Sequence, residues 1–243
     1  MTYKLKRQLK RLGNKEFTED IKTFIRNSHN FYSEKVPELK TLAKRLHEEH
    51  SLKSFYPVFN RLWKSGYQGE KSLAIYTLQL YKDEFDFSTF KFLKPKLKDI
   101  KSWDRTDSVG KYLLGNILLK YPKLDKEILK LAKSKNLWFK RMAIMSTFPL
   151  IKEKQNTKLA IYFCETNLDE PHEEIQNVIG ETLKQISIYK PETAKKFILK
   201  NTKIKNQTFK IATENLKELR KIRKIKKLGN NNQSGWFFWK NIR

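Results

Sequence analysis

A chain of 243 residues carries 52 Lys and Arg against 26 Asp and Glu, a formal charge of +26. The length allows one large domain or two small ones, and 39% apolar residues with 13% aromatic ones are enough for a core, which excludes a disordered basic tail. The single cysteine excludes an intramolecular disulfide and a multi-cysteine zinc site, while the charge excess makes a field that attracts phosphate backbones or anionic surfaces.

The opening Met1-Thr2-Tyr3-Lys4-Leu5-Lys6 lacks the apolar core of a signal peptide, and no apolar run approaches membrane-spanning length. A soluble cytoplasmic protein without a membrane association is expected. Taken in chain order, apolar residues recur at steps of three and four rather than alternating. With only 8 Gly and 7 Pro, that pattern predicts helices over 2–12, 16–27, 35–49, 53–65, 69–82, 87–98, 103–120, 124–134, 137–150, 156–167, 172–188, 192–200 and 206–227. Pro37, Pro57, Pro95, Pro122, Pro171 and Pro191 are placed near helix starts or in connections, where proline is tolerated. Cys164, in Leu159-Ala160-Ile161-Tyr162-Phe163-Cys164, reads as a small buried hydrophobe. His47 and His50 with Glu48 and Glu49 read as a solvated helix end, and the four histidines form no convincing metal site.

The helices repeat. Glu70, Trp103, Trp138, Ile175 and Phe209 each open a similar helix, at successive spacings of 33, 35, 37 and 34 residues. Two helices per period of this size mark an α-solenoid, in which stacked pairs bury faces that no pair buries alone. The expected fold is therefore all-α, a solenoid over 1–220 with a concave basic groove lined by the second helix of each pair. The remaining tail, 221–243, is set apart by its composition. Around its start, Arg220-Lys221-Ile222-Arg223-Lys224-Ile225-Lys226-Lys227 holds six positive charges in eight residues and is suited to track phosphates. Beyond Gly229–Gly235 lies Trp236-Phe237-Phe238-Trp239, which either caps the last helix of the solenoid or stacks on bases.

Chemistry concentrates in three segments. In Trp103-Asp104-Arg105-Thr106-Asp107 an indole and a carboxylate stand four residues apart, hence on one helical face. Ser102 reads as the N-cap, and the positive helix end favours the carboxylate. The core stripe runs Val109, Leu113, Ile117, with Leu114 and Leu118 beside it; Asp107 lies off it, and Gly110 leaves room for a ligand. Asp107 either serves a ligand with Trp103 or pairs with Lys111 at i,i+4 while Trp103 packs into the next repeat. In Asn136-Leu137-Trp138-Phe139-Lys140-Arg141, Arg141 is predicted on the same face as Asp107, where a guanidinium suits a phosphate, and Trp138 and Phe139 are assigned to the core. In Glu173–Lys184, Gly180 within a helix points to close packing or to a ligand.

Trp-Asp-x-x-Asp, then Trp-x-x-Arg-x-Ala-Ile, then Ile-Gln-x-x-Ile-Gly-x-x-Leu-Lys together resemble the AlkD-like DNA alkylation repair family, and Val36-Pro37-Glu38-Leu39-Lys40 is similar to its early Val-Pro-x-Leu-Arg segment. The likeness covers most of the chain. It implies a HEAT-like α-solenoid and a monofunctional DNA glycosylase that removes cationic alkylpurines of the N3-methyladenine and N7-methylguanine type. Carried over, Asp107 matches the catalytic aspartate, Trp103 an aromatic on the sugar of the lesion, and Arg141 an arginine on the DNA backbone. The expected partner is double-stranded DNA bound by Arg141, Lys140, Lys111 and Lys184, by a monomer that needs no cofactor or metal. One departure stands out: where the family carries a second aromatic after Ile-Gly, this chain has Glu181 and Thr182. A glutamate there either adds a second anion that favours cationic lesions or repels phosphates. The alternative function is a non-catalytic solenoid that binds bent, branched or damaged DNA.

Overall fold

The computed structural model describes residues 32–64 and 68–221. The helices expected over 2–12 and 16–27 lie outside the described residues, as does the tail from 222 onward with its aromatic knot. Two compact units divide the chain between Phe85 and Asp86.

The first unit holds α1 (Tyr32–Glu49), α2 (Leu52–Lys64) and α3 (Gln68–Leu80). Along α2 the buried residues are Leu52, Phe55, Val58, Phe59, Leu62 and Trp63, the three-and-four stripe of a helix with one apolar face. Both α1 and α2 pack on α3, where Leu73, Ala74, Ile75 and Leu78 are buried. Pro37 and Pro57 lie inside helices rather than at their starts. At the end of α1 Glu48 and Glu49 are exposed as their charges predict, while the flanking histidines are partly covered: the His47 ring sits 4.4 Å from the Tyr81 ring, and the Tyr81 hydroxyl donates to the His50 carbonyl at 2.6 Å. The last carbonyls of a helix have no partner within it, and a buried tyrosine needs an acceptor.

The second unit opens on a capping box, in which Asp86 accepts from the Thr89 N–H at 3.0 Å and its own N–H donates to the Thr89 hydroxyl. There follow α4 (Phe87–Leu93) with a 3₁₀ segment Lys94–Asp99; α5 (Trp103–Ser108), a π turn Val109–Leu114 and α6 (Gly115–Lys120); then α7 (Asp125–Ala132), α8 (Leu137–Met145), α9 (Phe148–Lys154), α10 (Lys158–Thr166), α11 (Glu173–Tyr189), α12 (Pro191–Lys200) and α13 (Asn206–Ala212). Among the described residues there is no strand. Helices α7 and α8 pack together, as do α11 and α12, while α5, α8, α11 and α13 contact one another in chain order. This is the row of second helices that the repeat predicts, and Trp103, Trp138, Ile175 and Phe209 fall in their first turns.

Polar ties repeat with the helices. Lys94 pairs with Glu127 at 2.8 Å and Lys200 with Glu165 at 3.1 Å, Lys140 reaches Glu170 and Lys184 reaches Glu214, all between residues 30 to 35 apart in sequence. The Thr208 hydroxyl donates to the Gln176 side-chain oxygen at 2.6 Å across a separation of 32.

Three helices end earlier than the periodicity predicts, each for a local reason. The 87–98 helix tightens to 3₁₀ at Lys94–Asp99 because Pro95 has no N–H to continue the α ladder. The 137–150 helix breaks after Met145: the hydroxyls of Ser146 and Thr147 donate to the carbonyls of Ala143 and Ile144, both at 2.7 Å, and Pro149 follows at the start of α9. The 206–227 helix breaks after Ala212, and helix resumes over 217–221, the last described residues. At the break Thr213 bonds back to the Phe209 carbonyl at 2.7 Å and Arg220 folds over to donate to the Lys210 carbonyl at 2.7 Å.

The core stripe holds: Val109, Leu113, Leu114, Ile117 and Leu118 are buried, as is Cys164, whose thiol burial pushes well above its ordinary range. Gly110 does not leave room for a ligand. A Cβ there would stand 2.7 Å from the Met142 carbonyl oxygen and 2.8 Å from Met145 Cβ, so the glycine lets the π turn lie directly on α8. Gly180 likewise serves packing, since a Cβ in its place would meet Ile211 Cβ at 2.8 Å and the Thr208 carbonyl oxygen at 3.1 Å. Gly110→Ala is expected to destabilise the protein by about 1–3 kcal/mol through overpacking against backbone. Gly69→Ala, with nothing within 4 Å, should stabilise it by about 0.5–1 kcal/mol. Denaturant midpoints of the two variants check the pair; equal effects would refute the packing account.

Candidate active site

Ser102 takes the N-cap position of α5 with extended backbone, as predicted, but its hydroxyl makes no capping bond. Ser102 Oγ and Thr106 Oγ1 are buried without a hydrogen-bond partner among the described residues. From this start Trp103 projects outward and stays 49% exposed rather than packing into the next repeat. Helix α8 starts at Asn136, whose carboxamide oxygen accepts from the N–H groups of Trp138 and Phe139 at 2.9 and 3.3 Å. Those two aromatics are half-buried, not core, because they belong to the first turn beside that cap. One turn further along α8 comes Arg141. The first turn of α11 carries Glu173 and Glu174, and Glu181 follows two turns later on the face that also holds Asn177.

Arg141 is the centre of the site and is only 2% exposed. Its Nε and Nη2 donate to the two carboxylate oxygens of Asp107, each at 2.6 Å, a bidentate pair. Its Nη1 donates to the Glu174 carbonyl at 2.7 Å and to the Glu174 carboxylate at 3.1 Å. Nη2 also stands 4.0 Å from a Glu181 carboxylate oxygen. Three helices of the row, α5, α8 and α11, thus meet on one guanidinium. Asp107 takes this partner from the next repeat instead of Lys111 on its own helix.

Burial pushes the Asp107 carboxyl above the usual aspartate range, against the pull of Arg141, with Glu174 and Asp104 adding to the rise. The Glu181 carboxyl is raised too, first by burial and then by Asp107, against Arg141, Lys184 and Lys111. Arg141 is held more firmly protonated: its bonds and charge contacts with Asp107, Glu181 and Glu174 outweigh its burial. The site is a crowd of carboxylates around one cation on an otherwise basic chain.

The predicted DNA-contacting lysines are not gathered at this cluster alone. Lys140 is tied to Glu170 with little exposure, and Lys184 to Glu214. The Lys111 ammonium lies 5.2 Å from the Tyr112 ring and 5.5 Å from the Phe148 ring. Two features escape a reading of the sequence. Glu174, which meets Arg141 through both carbonyl and carboxylate, is legible there only as an acidic residue in a first turn. The π turn between Asp107 and the core stripe has one signal, the glycines Gly110 and Gly115 five residues apart, whose C=O and N–H form the i→i+5 bond. Among the described residues no three His, Cys, Asp or Glu side chains are arranged to hold a metal ion, and no helix is long and apolar enough to cross a membrane.

Removing the guanidinium leaves the largely buried Asp107 carboxylate unpaired, so Arg141→Met should cost about 3 kcal/mol or more. The pH dependence has a defined sign. A carboxyl raised above its unfolded value adds stability that is complete below the unfolded pKa and is lost as pH rises through the folded one. The Arg141→Met deficit in thermal midpoint should therefore be larger at pH 8 than at pH 5; a deficit independent of pH would show that packing, not charge, carries it.

Residues 5–216 match the family described as DNA alkylation repair enzyme. No curated protein matches the chain at a significant level. Among solved structures, a predicted DNA alkylation repair enzyme from Enterococcus faecalis is 18% identical, with 74% of this chain and 85% of that one covered and a TM-score of 0.66. The protein smu.31 from Streptococcus mutans UA159 is 19% identical over 74% of this chain and 92% of that one, with a TM-score of 0.57. AlkD2 from Streptococcus mutans is 22% identical over 81% of this chain and 95% of that one, with a TM-score of 0.56. At these identities the likeness is one of helical-repeat fold. The family match extends over most of the sequence, and the chain belongs to the DNA alkylation repair enzyme family.

Proposed function

We propose that this protein is a monofunctional DNA glycosylase that excises cationic alkylated purines, of the N3-methyladenine and N7-methylguanine type, from double-stranded DNA. The observation that carries this reading is Asp107, a carboxylate held rigid by both oxygens on a buried guanidinium, one helical turn from an exposed indole. A methylated purine already bears positive charge, so it departs without a strong acid. The C1′–N9 bond breaks, its electron pair passes to the base and neutralises it, and the deoxyribose becomes oxocarbenium-like. Water then forms the new C1′–O bond and gives up a proton, leaving an abasic sugar.

Asp107 supplies fixed negative charge where positive charge develops, and because Arg141 holds it, no reorganisation is needed at that moment. The Trp103 face adds a cation–π attraction of about 0.5–2 kcal/mol. The excess of basic residues draws in the phosphate backbone, and Lys111, with Lys140 and Lys184 once they exchange their carboxylate partners for phosphates, would meet it. Arg141 acts here through Asp107: four of its bonds go to carboxylate and carbonyl oxygens of the protein. An arginine so occupied grips no phosphate in either reading; what favours a second reading, a solenoid that binds damaged DNA without excision, is Glu181 standing where the resemblance implies an aromatic wall.

Base release from duplex DNA methylated at N3 of adenine and N7 of guanine separates the two. Wild type is expected to release both bases, and Asp107→Asn to be slower by about 100-fold or more while binding the duplex as well or better. Absence of release by wild type, with tight binding by both proteins, supports the binder. The release rate should also fall as pH is lowered, with a midpoint above the ordinary aspartate value of about 3.9, since burial raises the Asp107 carboxyl. A midpoint at or below that value would contradict an essential, buried Asp107 carboxylate.

A further inference from the structure

Glu181 stands where the resemblance implies an aromatic, and its surroundings give it a definite charge environment. Its carboxylate lies 4.0 Å from Arg141 Nη2, the nitrogen that also donates to Asp107 at 2.6 Å. The two carboxylates therefore flank one atom. Arg141 gives hydrogen bonds to Asp107 and Glu174 but none to Glu181, which accepts no hydrogen bond from the described residues. One guanidinium thus faces three carboxylates. Of the three, Glu181 has the most exposed side chain, at 42% against 38% for Glu174 and 19% for Asp107. Lys184, the nearest cation on its own helix, is turned to Glu214. The negative charge that Arg141 leaves uncompensated is carried toward solvent at Glu181, the most exposed of the three carboxylates.

We infer that Glu181 is a specificity-determining residue of this site: a second, outward-facing carboxylate that selects ligands carrying formal positive charge at the sugar or base over neutral ones of the same shape. The inference rests on the glycosylase reading and assigns the discrimination to a different residue from the chemistry. An aromatic wall attracts a cation through its face but also holds a neutral sugar by contact area. A carboxylate gives the cation a Coulomb attraction that a neutral ligand does not receive, and it repels the phosphates on either side. The consequence is weaker binding of undamaged duplex together with a larger ratio between charged and neutral lesions. Burial and Asp107 raise the Glu181 carboxyl against Arg141, Lys184 and Lys111, so the ratio falls on acidification at a higher pH than an ordinary glutamate would give.

The test compares the dissociation constants of two duplexes at pH 8 and low salt. One carries a pyrrolidine abasic analogue, a cation in the position of the sugar; the other carries the neutral tetrahydrofuran analogue. Wild type should prefer the pyrrolidine duplex, and Glu181→Gln should shrink that preference by about 10-fold while binding undamaged duplex more tightly. Glu181→Asp, which keeps the charge on a shorter arm, should retain part of the preference. Glu181 is a half-exposed residue on the surface of α11, so the variants fold, and unchanged thermal midpoints check this. A preference that survives intact in Glu181→Gln, with base release from methylated DNA still present in wild type, overturns the role of Glu181 and leaves the glycosylase standing. Absence of both preference and base release in wild type overturns the glycosylase reading and this inference with it.

Discussion

A guanidinium removed from water is costly unless its donors are met by well-placed acceptors, and the second unit of this protein is organised around meeting that requirement. Arg141 lies in α8, the middle of three neighbouring helices, and draws its acceptors from the helix before it and the helix after it. Its position fixes how far apart α5 and α11 stand and how each is turned about its own axis. Asp107 and Glu174 are held by these bonds, and Glu181 stands beside them, 4.0 Å from the guanidinium.

Such a site does not depend on loops. Its polar members project from regular helices, and the helices are held by close approaches that glycine permits, Gly110 against Met142 and Gly180 against Ile211. Polar ties recur along the same row at separations of 30 to 35 residues, so the bond between Arg141 and Asp107 is one member of a series that includes Lys140 with Glu170 and Lys184 with Glu214. What distinguishes it is burial. The pairs Lys94 with Glu127, Lys184 with Glu214 and Lys200 with Glu165 are open enough to be screened and to contribute little, and Lys140 with Glu170 is only partly shielded. Arg141 is almost fully shielded, and the charges of its cluster act on each other and on a ligand with more force. The excess of lysine across the chain makes a local surplus of carboxylate tolerable, and the surplus in turn makes this spot electrostatically unlike its surroundings.

Much of this is legible in the amino-acid sequence because it rests on periodicity. The helices, the order of the row and the stripe Val109, Leu113, Ile117 follow from spacing, and spacing also puts Trp103 and Asp107 on one face. Sequence is a weaker guide where a side chain chooses between partners. Asp107 has a lysine four residues away, and nothing local says that it will turn to an arginine 34 residues distant instead. Gly110 reads as open space because a missing side chain on a helix leaves either a gap or a contact, and only the neighbouring helix decides which. Helix ends escape prediction where Ser146, Thr147 and Thr213 bond back to carbonyls of their own helices, since a hydroxyl in a helix can equally point outward.

The π turn at Val109–Leu114 separates two tasks that a uniform helix would have to share. Residues within it and behind it, Val109, Leu113, Leu114, Ile117 and Leu118, face the core; residues ahead of it, Trp103 and Asp107, face the site. Each residue added to or taken from an α-helix rotates the upstream part by about 100° relative to the downstream part. The wide turn therefore works as an angular offset, setting the direction of Asp107 independently of the packing stripe on the same helix. A change in the length of this one turn would re-aim the carboxylate relative to Ile117 and Leu118 without altering Trp103 or Asp107 themselves.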